Sequence, residues 1–339
     1  MAMHLALLLP RLLRPTPTME TVKLTTPWAH DYIAQTPDSL GIVGNYRFEI
    51  NNNADEADYW IVWGGLGTAK KQTVKVPPGR LIYITDEAHN KRYFHQGFLN
   101  QFATVLACRK DLTHRGLVNH HEFAPWYFGM GYNQLAATPR GPKPELLSIV
   151  MSNLLYLDGH IARYGFGHAL MGHFKERLAV FGRGFNQIAD KFEGLYPFQY
   201  SVALENSAID DYITEKIQEC YLAYTMPIYY GAPNIGHYFD LDSMISVDVA
   251  DYRTAIERIE FAIAHNWATE RAELIAQMRQ RVLTRYHIFP AIASFLASER
   301  GQQGTGPAKP CTIVAEAQMW QADHKGLKPL LRRIFLANR

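Results

Sequence analysis

The apolar positions of this chain fall into short blocks of two alternating kinds, and those blocks set out its architecture. Ala57-Asp58-Tyr59-Trp60-Ile61-Val62-Trp63-Gly64-Gly65 is a run of aromatic and branched residues that ends in a glycine turn, and Arg80-Leu81-Ile82-Tyr83-Ile84-Thr85 is a second such run. Continuous apolar runs of this length predict short strands buried on both faces, as in a parallel sheet. Phe98 to Ala107 mixes aromatic and branched residues and is read as a third strand. His120 to Tyr132, rich in His, Trp, Tyr and Gly, is read as an aromatic loop. Three prolines and a glycine in Thr138-Pro139-Arg140-Gly141-Pro142-Lys143-Pro144 then break every periodic pattern, as a linker does.

Beyond that break the alternation restarts. Leu146 to Met151 is strand-like, Ile161 to Val180 has helical spacing, and Phe198-Gln199-Tyr200-Ser201-Val202-Ala203-Leu204 is strand-like again. Ile217, Cys220, Tyr221 and Tyr224 stand at i, i+3, i+4 and i+7, one face of a helix, and Pro227-Ile228-Tyr229-Tyr230 is a strand closed by Gly231. Strand, helix, strand is the βαβ unit of a Rossmann-like half, in which ligands sit at the carboxyl ends of the strands. Asp251 to Arg285 reads as one or two amphipathic helices and Arg300 to Pro310 as a Gly/Gln/Pro-rich linker. The expected organisation is an α/β chain with a first domain over 1–143, a second over 144–299, and a linker and tail over 300–339.

Composition narrows the function classes. A chain of 339 residues exceeds the usual single core, which favours two domains. The net charge of +2 and the lack of a basic stripe with interleaved aromatics argue against a nucleic-acid partner. Cys108, Cys220 and Cys311 lie far apart and form no CxxC pair, so a reducing cytoplasm is expected. The apolar start, Met3 to Leu9, is far short of the roughly 20 residues that span a bilayer.

The chemistry concentrates in Leu204-Glu205-Asn206-Ser207-Ala208-Ile209-Asp210-Asp211-Tyr212-Ile213-Thr214-Glu215-Lys216, where polar residues crowd between a strand and a helix. A helix N-terminus offers unpaired N–H groups and partial positive charge, and Lys216 adds a mobile cation, which suits a diphosphate. Glu215 would then accept hydrogen bonds from ribose or sugar hydroxyls. The same residues also suit a solvated first turn, with Glu215 favoured by the helix dipole and Lys216 merely exposed.

The order Phe198-Gln199-Tyr200, Leu204-Glu205-Asn206-Ser207 and Tyr212-Ile213-Thr214-Glu215-Lys216, followed by Met226-Pro227-Ile228-Tyr229-Tyr230-Gly231-Ala232-Pro233, resembles the donor-binding signature of the α1,3/4-fucosyltransferases. Gln199 and Leu204 stand where that family usually has Lys and Phe. The resemblance implies a GT-B fold, two Rossmann-like domains facing across a cleft, with acceptor bound by the first and GDP-fucose by the second. It implies contacts to the donor from Lys216 (diphosphate), Glu215 and Tyr212 (ribose or sugar), and Glu205 and Asn206 (pocket). Arg163, which follows Ser152-Asn153 after an insert, matches the family's second cation. Thr85-Asp86-Glu87-Ala88-His89-Asn90 resembles its Thr-Gly-Glu-Asn segment, which implies Glu87 as the general base, with Asp86 and His89 as local competitors.

The implied activity is inverting transfer of fucose from GDP-fucose to a hydroxyl of an oligosaccharide or glycolipid, lipopolysaccharide included. No cofactor is expected to be obligatory. Asp240-Leu241-Asp242 is a DxD that could bind a metal, but so short a motif in a loop is discounted, as is His120-His121-Glu122. Trp126 and Tyr127 suit either sugar stacking or core packing. The alternatives are a transferase of the same fold with another GDP-sugar, and a carbohydrate-binding protein without turnover. The tail from His324 to Arg339 has five Lys/Arg, no acid and six large apolar residues, and suits either peripheral contact with an anionic membrane or docking on the protein.

Overall fold

The computed structural model describes residues 18–87, 92–153, 158–321 and 323. His89, the apolar start and the basic tail from His324 onward lie outside the described residues. The first half builds eight strands: β1 (Glu20–Thr25), β2 (Ile42–Val43), β3 (Tyr46–Ile50), β4 (Tyr59–Trp63), β5 (Lys71–Val76), β6 (Leu81–Ile84), β7 (Thr104–Ala107) and β8 (Leu117–Asn119). Seven join in the order β2-β3-β1-β4-β6-β7-β8, parallel except where β2 meets β3. All five residues of β4 are buried, the pattern of a central strand covered on both faces.

The expected third strand begins later than the sequence pattern indicates. Phe98 and Leu99 lie in a short helix, α1 (Gln96–Leu99), capped by His95 Nδ1, which accepts from Gly97 N at 3.0 Å. Phe98 and Phe102, one helical turn apart, pack their rings 5.1 and 5.0 Å from that of Tyr83, and only β7 enters the sheet. A second short helix, α2 (Tyr132–Ala137), precedes the proline-rich linker.

The second half builds β9 (Glu145–Val150), α3 (Asp158–Phe174), β10 (Leu178–Phe181), β11 (Phe198–Leu204), α4 (Glu215–Leu222), β12 (Met226–Tyr230), β13 (Ile245–Ser246), α5 (Tyr252–Ala264), α6 (Trp267–Glu270) and α7 (Ala272–Arg281). Its sheet runs β10-β9-β11-β12-β13 and is parallel throughout. The helix expected to reach Val180 stops at Phe174: Lys175 takes a φ of 48°, and Leu178–Phe181 leaves to pair with β9.

The second domain does not run to residue 299. After buried His287 the chain crosses back, and α8 (Ile288–Ala297) packs Ile288, Phe289, Ile292 and Leu296 against Val22, Leu24, Phe48 and Ile61 of the first sheet. Its sequence is apolar nearly all round, so it must be covered. Each large side chain it buries contributes about 1.5–3 kcal/mol. Residues 300–339 are likewise not simply a linker and tail, because β14 (Lys309–Val314) pairs antiparallel with β5, Lys309 opposite Val76 and Val314 opposite Lys71. The first domain thus takes in α8 and β14 as well.

Candidate active site

In the second sheet β9 and β11 are neighbours, yet their connections depart in opposite directions, α3 leading to β10 and α4 to β12. Such a switch point leaves a crevice at the carboxyl ends of the strands. It holds a cavity of about 430 Å³ lined by Ser152, Arg163, Gly182, Lys191, Glu215 and Lys216, among others. Gly182, with a φ of 111°, forms part of the wall because a Cβ there would fall 2.2 Å from Met151 O.

Arg163 enters from α3. One of its nitrogens, Nη1, donates to Leu204 O at 3.2 Å, while buried Nε has no hydrogen-bond partner among the described residues. Opposite it, α4 begins at Thr214. Glu205, fully buried at the end of β11, accepts from Thr214 N at 2.8 Å and from Lys216 Nζ at 3.1 Å. Thr214 Oγ1 also bonds both the Glu205 carboxylate and Lys216 Nζ, the latter at 2.9 Å. Glu205 therefore lines neither this cavity nor the interdomain one described below. Expected to touch the donor, it instead has its oxygens committed to the helix start, and it sets the position of Lys216.

Burial works against the charge on Lys216, but Glu205 and Glu215 outweigh it and raise the ammonium pKa. Burial likewise pushes Glu215 up, yet Lys216 and Lys191 outweigh it and hold the carboxyl down at about 2. Lys191, from the loop between β10 and β11, lies 3.8 Å from Glu215 and 2.9 Å from buried Glu219. The cavity is thus bordered by four cations, Arg163 from α3, Lys216 from α4, and Arg183 and Lys191 from the segment between β10 and β11.

A second cavity of about 290 Å³ lies between the domains. Trp28, Trp63, Asp86 and Glu87 line it from just beyond or at the carboxyl ends of β1, β4 and β6, and Glu122 does so from beyond β8. Asn206, Tyr212, Glu215 and Lys216 face them from the second domain. Tyr127, Glu215 and Lys216 line both cavities, which joins them into one path. Asn206 and Tyr212, expected around the donor, belong to the interdomain side. Asn206 Oδ1 is buried without a partner among the described residues, and Tyr212 packs on Cys108. Gly64, with a φ of 74°, permits this wall: a Cβ there would sit 2.3 Å from the Trp28 ring.

Asp86 and Glu87 are not equivalent. Asp86 is engaged by Arg92, whose Nη1 lies 2.5 Å from its Oδ1, while Arg92 Nη2 reaches Glu316 at 2.9 Å. Neither acid caps α1, whose cap is His95. Glu122 is buried, its Oε1 accepting from Cys108 Sγ at 3.1 Å.

Sequence patterning missed Lys191 as a site residue, left Tyr127 between sugar stacking and core packing, and weighed Glu122 only within a discounted metal cluster. The aromatic loop held part of the signal, but it divides: Trp126 is buried with its ring 4.2 Å from that of His287, whereas Tyr127 stands in the cleft. His121 is core, its imidazole driven down to about 3, mainly by burial, and its Nδ1 lies 2.6 Å from Glu122 O. Asp240 Oδ1 accepts from Asp242 N at 2.9 Å, and Asp242 lies 3.5 Å from Arg271, so the DxD carboxylates serve a turn and an ion pair. Among the described residues no group of three His, Cys, Asp or Glu is placed to hold a metal ion.

Two facing sheets, each with a crevice at its strand ends, define the GT-B glycosyltransferase fold. The solved structure of an alpha1,3-fucosyltransferase is similar over 88% of this chain and 94% of its own, at 17% identity and a TM-score of 0.50. Another, titled as an alpha1,3-fucosyltransferase with GDP, covers 83% of this chain and 95% of its own at 16% identity and a TM-score of 0.49. Residues 142–264 match the C-terminal part of glycosyltransferase family 10 (fucosyltransferase). Over 83 residues the chain is 32% identical to the alpha-(1,3)-fucosyltransferase FucT of Helicobacter pylori, covering 24% of this chain and 17% of that protein. The match thus spans under a fifth of the curated relative's length.

Proposed function

We propose that the chain is an inverting α1,3-fucosyltransferase that moves fucose from GDP-fucose to a hydroxyl of an oligosaccharide or glycolipid. The observation that carries this reading is the convergence of Arg163, Lys191 and Lys216 on a switch-point cavity that opens onto a cleft lined by Glu87. The family match of the second domain supports fucose as the transferred sugar.

In this reading Lys216, Arg163 and the N–H groups at the start of α4 hold the diphosphate. They bind it more strongly as the anomeric C–O bond to phosphate breaks and negative charge grows on the leaving GDP. Glu215 accepts hydrogen bonds from donor hydroxyls. Glu87 takes the proton of the attacking hydroxyl as the new C–O bond forms on the opposite face of the sugar, which inverts the centre. Protein cations carry the leaving-group charge, so no step requires a metal. Incubation with a panel of sugar nucleotides and saccharides, scored by GDP release, tests the reading. Acceptor-dependent GDP release from GDP-fucose is expected, whereas turnover only with another GDP-sugar, or none, overturns it.

The acceptor is further proposed to lie at a membrane, with the enzyme on its cytoplasmic side and the basic residues of 324–339 toward anionic headgroups. Among the described residues no helix is long and apolar enough to cross a membrane. Flotation with anionic vesicles, of the intact chain against one ending at Ala322, tests this, and equal flotation contradicts it.

A further inference from the structure

The mechanism above leaves two carboxyls of the cleft unused, Asp86, which is engaged by Arg92, and Glu122. Glu122 is 7% exposed and lines the interdomain cavity on the same side as Asp86 and Glu87. Its one hydrogen bond among the described residues through the carboxyl is from the Cys108 thiol at 3.1 Å, a weak donor. Asp86 and Glu87 face it from beyond β6, Tyr127 from its own loop, and Tyr212, Glu215 and Lys216 from the second domain. Buried Glu205 acts on it as a further negative neighbour. His120 and His121, which precede it, are both driven toward the neutral form by burial. Among the described residues Lys216 is the one Lys, Arg or His in the cavity lining, and it is committed to Glu205 and Thr214.

We propose that Glu122 is a neutral acceptor-binding residue. Its carboxyl proton donates to an oxygen of the acceptor saccharide, so that the neighbouring hydroxyl points at Glu87. The identity of the acceptor and of the base rests on the fucosyltransferase reading. The physical ground is that a carboxylate buried among like charges, where the one cation among the described lining residues is already paired with Glu205, is too costly to keep ionised, whereas a carboxylic acid there is an ordinary hydrogen-bond donor. Burial, with Asp86, Glu87 and Glu205 adding to it against the Cys108 hydrogen bond, raises the group to about 8. Two carboxyls in one cleft then take separate roles, one accepting a proton and one offering a hydrogen bond.

The test measures acceptor KM from pH 6 to 9, with lactose, N-acetyllactosamine and chitobiose as probes, for the full chain and for Glu122→Gln and Glu122→Ala. Loss of the donor as pH passes 8 should raise the wild-type acceptor KM about tenfold by pH 9, the size of one hydrogen bond. Glu122→Gln keeps an N–H donor, so its KM should stay within about threefold of wild type at pH 7 and remain flat to pH 9. Glu122→Ala should raise acceptor KM about tenfold at pH 7 with donor KM unchanged. Identical pH profiles for wild type and Glu122→Gln, or an unchanged acceptor KM in Glu122→Ala, overturn the proposal. Carboxyl ¹³C resonances of the glutamate-labelled chain, assigned by loss of one peak in Glu122→Gln, give a readout that needs no turnover. A midpoint near 8 is expected, and one below 5 overturns the proposal. If the wild type transfers nothing from GDP-fucose, the functional reading fails and this titration alone decides the state of Glu122.

Discussion

Lys216 Nζ lies 3.1 Å from Glu205 Oε2, where β11 ends and α4 begins. The pair fixes a cation at a helix N-terminus before any ligand arrives. The carboxylate that does so is itself withdrawn from solvent and shared with Thr214. Preorganised charge of this kind stabilises a leaving group without the cost of rearranging at the moment of reaction.

Removing the fully buried partner should therefore cost more than removing the partly buried one. Glu205→Ala is expected to lose about 3 kcal/mol of stability, because Thr214 loses its acceptor and Lys216 keeps only Glu215, 3.5 Å away, as its acid. Glu205→Gln, which keeps the bonds to Thr214, should lose less. Urea unfolding of both variants checks this, and wild-type stability of Glu205→Ala would contradict the assigned role.

The two adjacent acids beyond β6 should separate kinetically. Glu87→Ala is expected to keep its affinity for the donor while transfer falls by about 10²-fold or more, the usual loss for a general base. Asp86→Asn weakens the Arg92 pair and should lower stability more than chemistry. Single-turnover rates and donor titrations of both distinguish these outcomes, and full transfer by Glu87→Ala would move the base elsewhere.

Glu215 sets a pH dependence with a defined sign. Its carboxyl is held at about 2 against an ordinary 4.5, so the stability it contributes is complete above about pH 4.5 and is lost as pH falls toward 2. The difference in Tm between wild type and Glu215→Gln should accordingly be largest at pH 7, shrink below 4.5 and be nearly gone near 2. A gap that is constant from pH 7 to pH 3 would contradict the ion pairing with Lys216 and Lys191.

How much of this was legible in the sequence depends on how local each feature is. The βαβ unit and the polar run from Glu205 to Lys216 are contiguous, so strand, loop and first helical turn could be read together. That Asp86 and Glu87 stand at a strand's carboxyl end was legible from the strand before them, while the choice of Glu87 as base rested on the resemblance alone. Glu205 was read as a ligand contact, since spacing does not reveal that its carboxylate turns inward onto Thr214. Lys191 comes from one loop and Glu122 and Tyr127 from another, and their convergence depends on how the domains face, which no periodicity records. The apolar run Ile288 to Ala297 signals burial but not which sheet it covers, so the return to the first domain was missed. The Gly-rich approach to β14 hid a strand for a similar reason: Gly304 packs closely on Gly79, a contact between distant parts of the chain.

That returning segment should matter to the site. Glu316 accepts from His95 N at 2.5 Å and from Arg92 Nη2 at 2.9 Å, and Arg92 in turn holds Asp86 beside Glu87. Glu316→Ala is expected to cost about 2 kcal/mol, the range for hydrogen bonds to a charged group. It should also lower transfer while leaving GDP affinity unchanged. Thermal unfolding and GDP titration check the two halves, and a fall in GDP affinity would place the effect in the wrong domain.

In the proposed reading the switch-point cavity of the second domain binds the diphosphate of GDP through Lys216 and Arg163. Calorimetric titration of GDP into the wild type, Lys216→Ala and Arg163→Ala tests it most directly. Saturable binding by the wild type is predicted, weakened by about tenfold or more in each variant, as expected for a charge-assisted hydrogen bond. Unchanged affinity in both variants, or no GDP binding by the wild type, would contradict it.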